Sequence, residues 1–308
     1  MHTPRKDLVI TGCNCIHIHP VSWSVNGLPK LIISIFISIM SQAHISFVKT
    51  SLLCGLLSPV ANGSVNLAIT NAGFEDVSGQ SVFNEFTFGT PAGWDIYDPN
   101  GITPDGGVFT GTLTPNGTEF FNETAPEGSR VAILFNSTQR GAGAYGFEQT
   151  LVDNLQANTR YDLSVEVGDI DSGTAVNNDF FNLEGFPEYR IELLAGDETV
   201  AGDESNIIAQ DNNAQAGLLI EGEFVRLTLS ITIGATHERL GESLGIRLVN
   251  SNLIPSDDAA LGFPDLEVDF DDVQLIATSV PEPGSSALCL GLATLMFYCF
   301  RRKSCAAN

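Results

Sequence analysis

The strongest constraint on this chain is a two-residue period of polarity that recurs through its middle. Between Arg160 and Val167, the residues Tyr161, Leu163, Val165 and Val167 share one face, and Asp162, Ser164 and Glu166 point to the other. Between Phe224 and Ile233, Val225, Leu227, Leu229 and Ile231 alternate with Arg226, Thr228, Ser230 and Thr232. That period belongs to strands with one buried and one wet face. Similar runs occupy 65–70, 130–135, 147–152, 189–194, 244–249 and 266–276, separated by clusters of Gly, Asn, Asp and Pro. No segment sustains a helical period. The expected fold is all-β, an antiparallel β-sandwich of the jelly-roll kind. Gly89–Thr118 reads as a loop, and Asp169–Pro187 and Gly196–Gly222 read as acidic excursions, the places where binding usually sits on a stiff sandwich.

The ends differ in kind. Residues 1–63 read as a leader containing a signal peptide, with apolar runs at Leu31–Met40 and Phe47–Ala61. Two readings stand: translation from Met40 with cleavage after Gly63, or a long leader whose apolar core is 31–40. Residues 64–279 form the expected sandwich, long enough to bury a substantial core. At the other end, Pro281-Glu282-Pro283 precedes an apolar run from Ala287 to Phe300, closed by Arg301, Arg302 and Lys303. Fourteen helical residues span roughly 21 Å, against a bilayer core of about 30 Å. The segment 280–303 therefore reads as a short transmembrane helix with a cationic stop, followed by a tail at 304–308.

Charge and cysteine usage narrow the middle further. Residues 64–279 hold seven basic residues, all arginine, against thirty-five acids, a formal charge of −28. Nucleic acid is excluded as a partner, because phosphate binding needs a basic face. All six cysteines (13, 15, 54, 289, 299 and 305) lie outside this region, so neither disulfides nor thiol chemistry belong to it. His237 is its only histidine, in Thr236-His237-Glu238-Arg239, with no nucleophile elbow beside it. Asp169-Ile170-Asp171-Ser172-Gly173 starts like a calcium loop but places its glycine early. The sequence reading is of a protein without catalysis; paired carboxylates for glycoside hydrolysis are the remaining catalytic alternative, since that test is spatial.

The tail closely resembles the PEP-CTERM sorting signal, on Pro281, Glu282, Pro283, Arg301 and Arg302. That resemblance implies an exosortase as partner, signal peptidase and secretion machinery upstream, transient membrane anchoring, and delivery to the cell surface, envelope or extracellular matrix. Asn71-Ala72-Gly73-Phe74-Glu75 and Val268-Asp269-Phe270-Asp271-Asp272-Val273 look like the first and last strands of galactose-binding-like, carbohydrate-binding jelly rolls. There the terminal strands pair and hold a structural calcium, which implies Glu75, Asp272 and Asp271 as ligands. Calcium prefers such oxygen donors. Leu155–Gly168 is similar to a segment of exported jelly rolls, implying that Gln149–Leu151 and Tyr161–Val167 lie on neighbouring strands. For a glycan at the surface or in extracellular polysaccharide, the candidate contacts are Trp94, Tyr97 and Asp95, with Tyr145 beside them; Trp94 also reads as core. A structural display protein without a ligand is the competing expectation.

Overall fold

The computed structural model describes residues 63–103, 108–137, 143–196 and 204–280, together with Gly291. The leader, the Pro281–Pro283 motif and the apolar tail with Arg301 and Arg302 lie outside the described residues. No helix among the described residues is long and apolar enough to cross a membrane.

Each of the eight periodic runs is a strand. They are β1 (Ser64–Leu67), β6 (Val131–Ser137), β7 (Tyr145–Asn154), β8 (Thr159–Asp169), β11 (Tyr189–Ala195), β13 (Glu223–Ile233), β14 (Ser243–Asn250) and β15 (Asp265–Ser279). Seven further strands lie outside those runs: β2 (Ser81–Phe83), β3 (Phe86–Phe88), β4 (Asp95–Tyr97), β5 (Val108–Leu113), β9 (Gly173–Thr174), β10 (Phe180–Phe181) and β12 (Ile207–Asn212). One helical turn, α1 (Asp258–Leu261), ends at Gly262 with φ 84°.

Two antiparallel sheets carry the fold. The larger runs β13-β8-β15-β6-β5-β3-β2, and the smaller runs β12-β11-β14-β7-β4. β15 is long enough for two partners on one side: β6 along Asp265–Phe270, and β1 along Leu275–Thr278. First and last strands thus pair. The neighbouring-strand expectation for β7 and β8 does not hold, because β7 pairs with β14 and β4 while β8 pairs with β13 and β15 in the other sheet. Their shared alternation fixed which face each buries and left the partner open.

The inner faces meet as predicted by the period. Leu163, Val165 and Val167 of β8 and Val268 and Phe270 of β15 pack in one core with Phe147, Ile191, Ile246 and Leu248 from the smaller sheet. Each such side chain contributes about 1.5–3 kcal/mol by leaving water.

The larger sheet is also covered on its other face. In β6, Ala132 and Leu134 enter the main core, while Val131 and Ile133 enter a second cluster with Phe86, Leu113, Phe120 and Ile170. A strand buried on both faces loses its alternation and reads as a continuous apolar run. The cover is the stretch 114–127 and the β9–β10 hairpin. The hairpin is fastened by two carboxylates: Thr174 N donates to Glu119 Oε2 at 2.8 Å, and Val176 N to Glu85 Oε1 at 2.9 Å. β5 escapes sequence detection because Gly111 interrupts it; a Cβ there would sit 1.8 Å from the Thr87 carbonyl oxygen.

The smaller sheet carries buried charge on its outer face. Arg247, 2 % exposed, donates through Nε to Glu148 at 2.9 Å and through Nη1 to Glu192 at 3.0 Å. Its guanidinium lies 4.0 Å from the centre of the Tyr97 ring. Removing the arginine leaves two carboxylates in a dry site. Arg247→Ala is expected to cost about 3–5 kcal/mol, read as a lower urea midpoint at unchanged m-value.

Candidate active site

The covered face of the larger sheet holds a cleft whose floor is laid by strand register. Glu267 on β15 stands opposite Phe135 on β6, and Phe135 stands opposite Phe109 on β5. In the next row Ile133 faces Gly111, which faces Phe88 on β3. Phe181 from the hairpin and Phe120 from the 114–127 stretch close the top. The rings touch in series: Phe88–Phe109 at 5.2 Å, Phe109–Phe135 at 5.7 Å, Phe86–Phe120 at 5.7 Å, and Phe135–Phe181 at 6.3 Å edge to face. The cleft between these rings holds a cavity of about 70 Å³.

Glu267 is the one ionisable side chain in that lining. It is 4 % exposed, and its Oε1 receives no hydrogen bond. Burial first, and then the charge of Asp265, push its carboxyl up to about 8. Near neutral pH this is a protonated carboxylic acid facing aromatic rings. A carboxyl held neutral in an apolar pocket is a proton donor.

β15 continues the pattern. Asp265, Glu267, Asp269 and Asp271 alternate with Leu266, Val268 and Phe270, and only the apolar set faces the main core. A bulge between Asp271 and Gln274, with Asp272 at φ 43°, then separates two adjacent acids. Asp271 stays buried and accepts from the amides of Glu127 (2.8 Å) and Asp272 (2.7 Å). Desolvation raises it to about 8. Asp272 turns out to form an ion pair with Arg226. Glu75 accepts from the amides of Ser129 (2.6 Å) and Arg130 (2.7 Å).

The structure holds the expected calcium trio on separate partners: Glu75 on the amides of Ser129 and Arg130, Asp271 on the amide of Glu127, and Asp272 on Arg226. No group of three or more His, Cys, Asp or Glu is placed together among the described residues, and no step below passes through a metal.

The glycan contacts are corrected as well. Trp94 is 4 % exposed, stacks on Phe74 at 5.2 Å, and donates from Nε1 to the Asn71 carbonyl at 3.1 Å. Tyr97 is buried against Arg247, and Tyr145 is fully buried. Asp95 alone is exposed. A sugar platform needs an open aromatic face, and these rings offer none.

What sequence reasoning missed is the Phe83-Asn84-Glu85-Phe86-Thr87-Phe88 segment and its partners Phe109, Phe120, Phe135 and Phe181. The signal was present in composition: nineteen phenylalanines against two tryptophans and five tyrosines. An excess of rings without polar tips suits an apolar cavity better than a sugar groove.

A β-sandwich whose second sheet face encloses a phenylalanine cleft around one neutral carboxyl is built as an enzyme site. The family model described as HpiC1 cyclase matches residues 65–276, and the chain belongs to that HpiC1-like family. A search of curated proteins gave no match. Among solved structures, the apo form of a cyclase from Fischerella sp. is 34 % identical, with TM-score 0.56, covering 71 % of this chain and 98 % of that one. A Stig cyclase, Fisc, from Fischerella sp. TAU is 33 % identical at TM-score 0.56, covering 71 % and 100 %, and is bound to (3Z)-3-(1-methyl-2-pyrrolidinylidene)-3H-indole. A cyclase from the same source, with the same identity, coverage and TM-score, holds 4-(1H-indol-3-yl)butan-2-one. These findings overturn the expectation of a non-catalytic, carbohydrate-binding surface protein. They also replace the PEP-CTERM and carbohydrate-module resemblances as the account of the chain's family.

The raised carboxyls make stability depend on pH. Glu267 rises from 4.5 and Asp271 from 3.8, each to about 8. The folded state then binds protons that the unfolded state has released. Their contribution is complete below the unfolded values and is lost as pH rises through about 8. The melting midpoint is expected to fall between about pH 5 and about pH 9, and Glu267→Gln and Asp271→Asn should each flatten that slope.

Proposed function

We propose that this protein is an acid-triggered cyclase acting on a hydrophobic, indole-bearing substrate. The observation that carries this reading is the neutral Glu267 carboxyl on the floor of a phenylalanine cleft. Family membership supplies the reaction class, and the indole-containing molecules held by the relatives support the substrate class.

The chemistry follows from those parts. Glu267 gives its proton to an unsaturated carbon or an imine nitrogen of the substrate, leaving a cation beside the rings. The faces of Phe135, Phe109 and Phe88 stabilise that charge by cation–π attraction, each by about 0.5–2 kcal/mol. The π electrons of the substrate's own ring then attack the cation and close a new carbon–carbon bond. The proton that leaves the closed ring returns to the Glu267 carboxylate. No atom is gained or lost. The phenylalanine walls keep water from capturing the cation first.

Export is the second part of the reading. It is supported by the apolar stretch behind Lys49 that ends in the small residues Ala61 and Gly63. N-terminal sequencing of the secreted protein should begin at Ser64; the full leader still attached would overturn export without touching the chemistry.

The cyclase reading is tested with full-length protein and a panel of indole-bearing alkenes and imines, with products followed by mass and NMR. Glu267→Gln should cut turnover by about 10²–10⁴-fold, the usual worth of a general acid. It should still bind 4-(1H-indol-3-yl)butan-2-one, since the cleft is unchanged. Turnover within a few-fold of wild type would remove Glu267 from the reaction.

A further inference from the structure

Phe181 closes the cleft from above, and the hairpin that carries it is short. β10 pairs with β9 through Thr174–Phe180 and Gly173–Phe181 alone. A two-stranded hairpin of that length is not stable by itself in water. Its outer side adds little hold, since Val176 and Phe180 are exposed. The seat beneath it is narrow: a Cβ on Gly173 would lie 3.0 Å from both the Glu119 Cβ and the Phe120 ring. In that seat the Phe181 ring meets Phe86 at 6.1 Å, Phe120 at 6.2 Å and Phe135 at 6.3 Å.

Glu85 reaches this roof from the wall of the cleft. It lies in the two-residue turn between β2 and β3 that sets Phe83 opposite Phe86, and both of those rings line the cleft. Its own carbonyl accepts from Thr114 N at 2.8 Å, which fixes the turn to the chain leaving β5. The side chain is 8 % exposed. Its Oε1 accepts from the Val176 amide at 2.9 Å, and its Oε2 is buried without a hydrogen-bond partner among the described residues. A group that only tied down a loop would cost less if left in water, as Glu119 is while it holds the Thr174 amide. Burying a carboxyl with one oxygen idle is unfavourable. What the arrangement secures is a fixed spacing between the wall with Phe83 and Phe86 and the roof with Phe181.

We propose that Glu85 is a positioning residue that keeps Phe181 seated over the cleft, so that the substrate cation closes a ring instead of being captured by water. This rests on the reading of the cleft as a cyclase site. The cation formed when Glu267 gives up its proton has two fates. Attack by the substrate's own π electrons forms the carbon–carbon bond, and the proton leaving that ring returns to Glu267. Attack by water forms a carbon–oxygen bond, and the proton leaving that oxygen goes to the Glu267 carboxylate. From an alkene the second product is an uncyclised alcohol, heavier than the cyclised one by one water. The two routes differ only in whether water reaches the cation, and the seated roof excludes it.

Two substitutions separate positioning from packing. Glu85→Gln keeps an acceptor for the Val176 amide, and Glu85→Leu keeps bulk without one. In full-length protein without substrate, amide exchange at Val176 followed by NMR should quicken about tenfold in the leucine variant and stay near wild type in the glutamine variant. With the indole-bearing alkenes, the ratio of alcohol to cyclised product should rise about tenfold in the leucine variant, and glutamine should restore it. Glu85→Ser, polar but too short to reach Val176, stands in if the leucine variant does not fold. Wild-type exchange at Val176 in the leucine or serine variant overturns the proposal. So does alcohol formed equally by the glutamine variant, or faster exchange with cyclised product alone. The exchange measurement needs no turnover, so the tether can fail while Glu267→Gln still abolishes cyclisation. Normal cyclisation by Glu267→Gln removes the acid and leaves the exchange result standing.

Discussion

β15 places a carboxylate at every second position on a face that the 114–127 stretch and the β9–β10 hairpin seal from water. That desolvation is the physical condition behind both the fold's second core and its chemistry. In water these acids would be ionised and ordinary. Under the cover their proton affinity is raised, and the same cover supplies Phe120 and Phe181 to the cleft. Fold and site are thus stabilised by one act of burial. Neutral acids buried under rings are a costly arrangement for stability alone, which is why they point to function.

The two sheets handle buried charge in opposite ways. On the smaller sheet, Arg247 meets Glu148 and Glu192, and Tyr97 lies over the guanidinium, so the charges are retained and matched. Such a network fixes strand register and is chemically quiet. On the larger sheet no arginine reaches Glu267 or Asp269 among the described residues, and the carboxyls escape the cost by keeping their protons. A matched carboxylate is a poor acid; an unmatched, dry one is a good one. The difference between structural and catalytic acids in this chain is the presence of a counter-charge, and composition does not show it.

Much of the fold was legible because alternation is a local signal. Every strand with a clean two-residue period was found, including β8 with Tyr161, Leu163, Val165 and Val167 on its core face. Of the strands missed, five are two or three residues long, β5 is broken by Gly111, and β12 is a half-exposed edge strand. The site was hardly legible at all. Asp271 and Asp272, adjacent in sequence, suggested a shared metal, but a bulge at Asp272 sends one inward to the Glu127 amide and the other out to Arg226. Trp94 and Tyr97 looked like contacts for a ligand, and packing buries both. The acid that matters, Glu267, had nothing beside it in sequence to mark it.

From the order of residues alone came the strand class, the absence of cysteine and lysine from 64–279, and the strong negative charge. Those properties depend on neighbours one or two positions apart or on simple counts. Only the tertiary structure decided which acids are dry, which rings share a cavity, and which strands are partners. Glu267, Phe135 and Phe109 become a row because three strands from distant parts of the chain fall into one register. Whether a carboxyl is then an acid or a surface charge depends on what covers it, and that cover comes from 114–127 and 173–181, far from β15 in sequence.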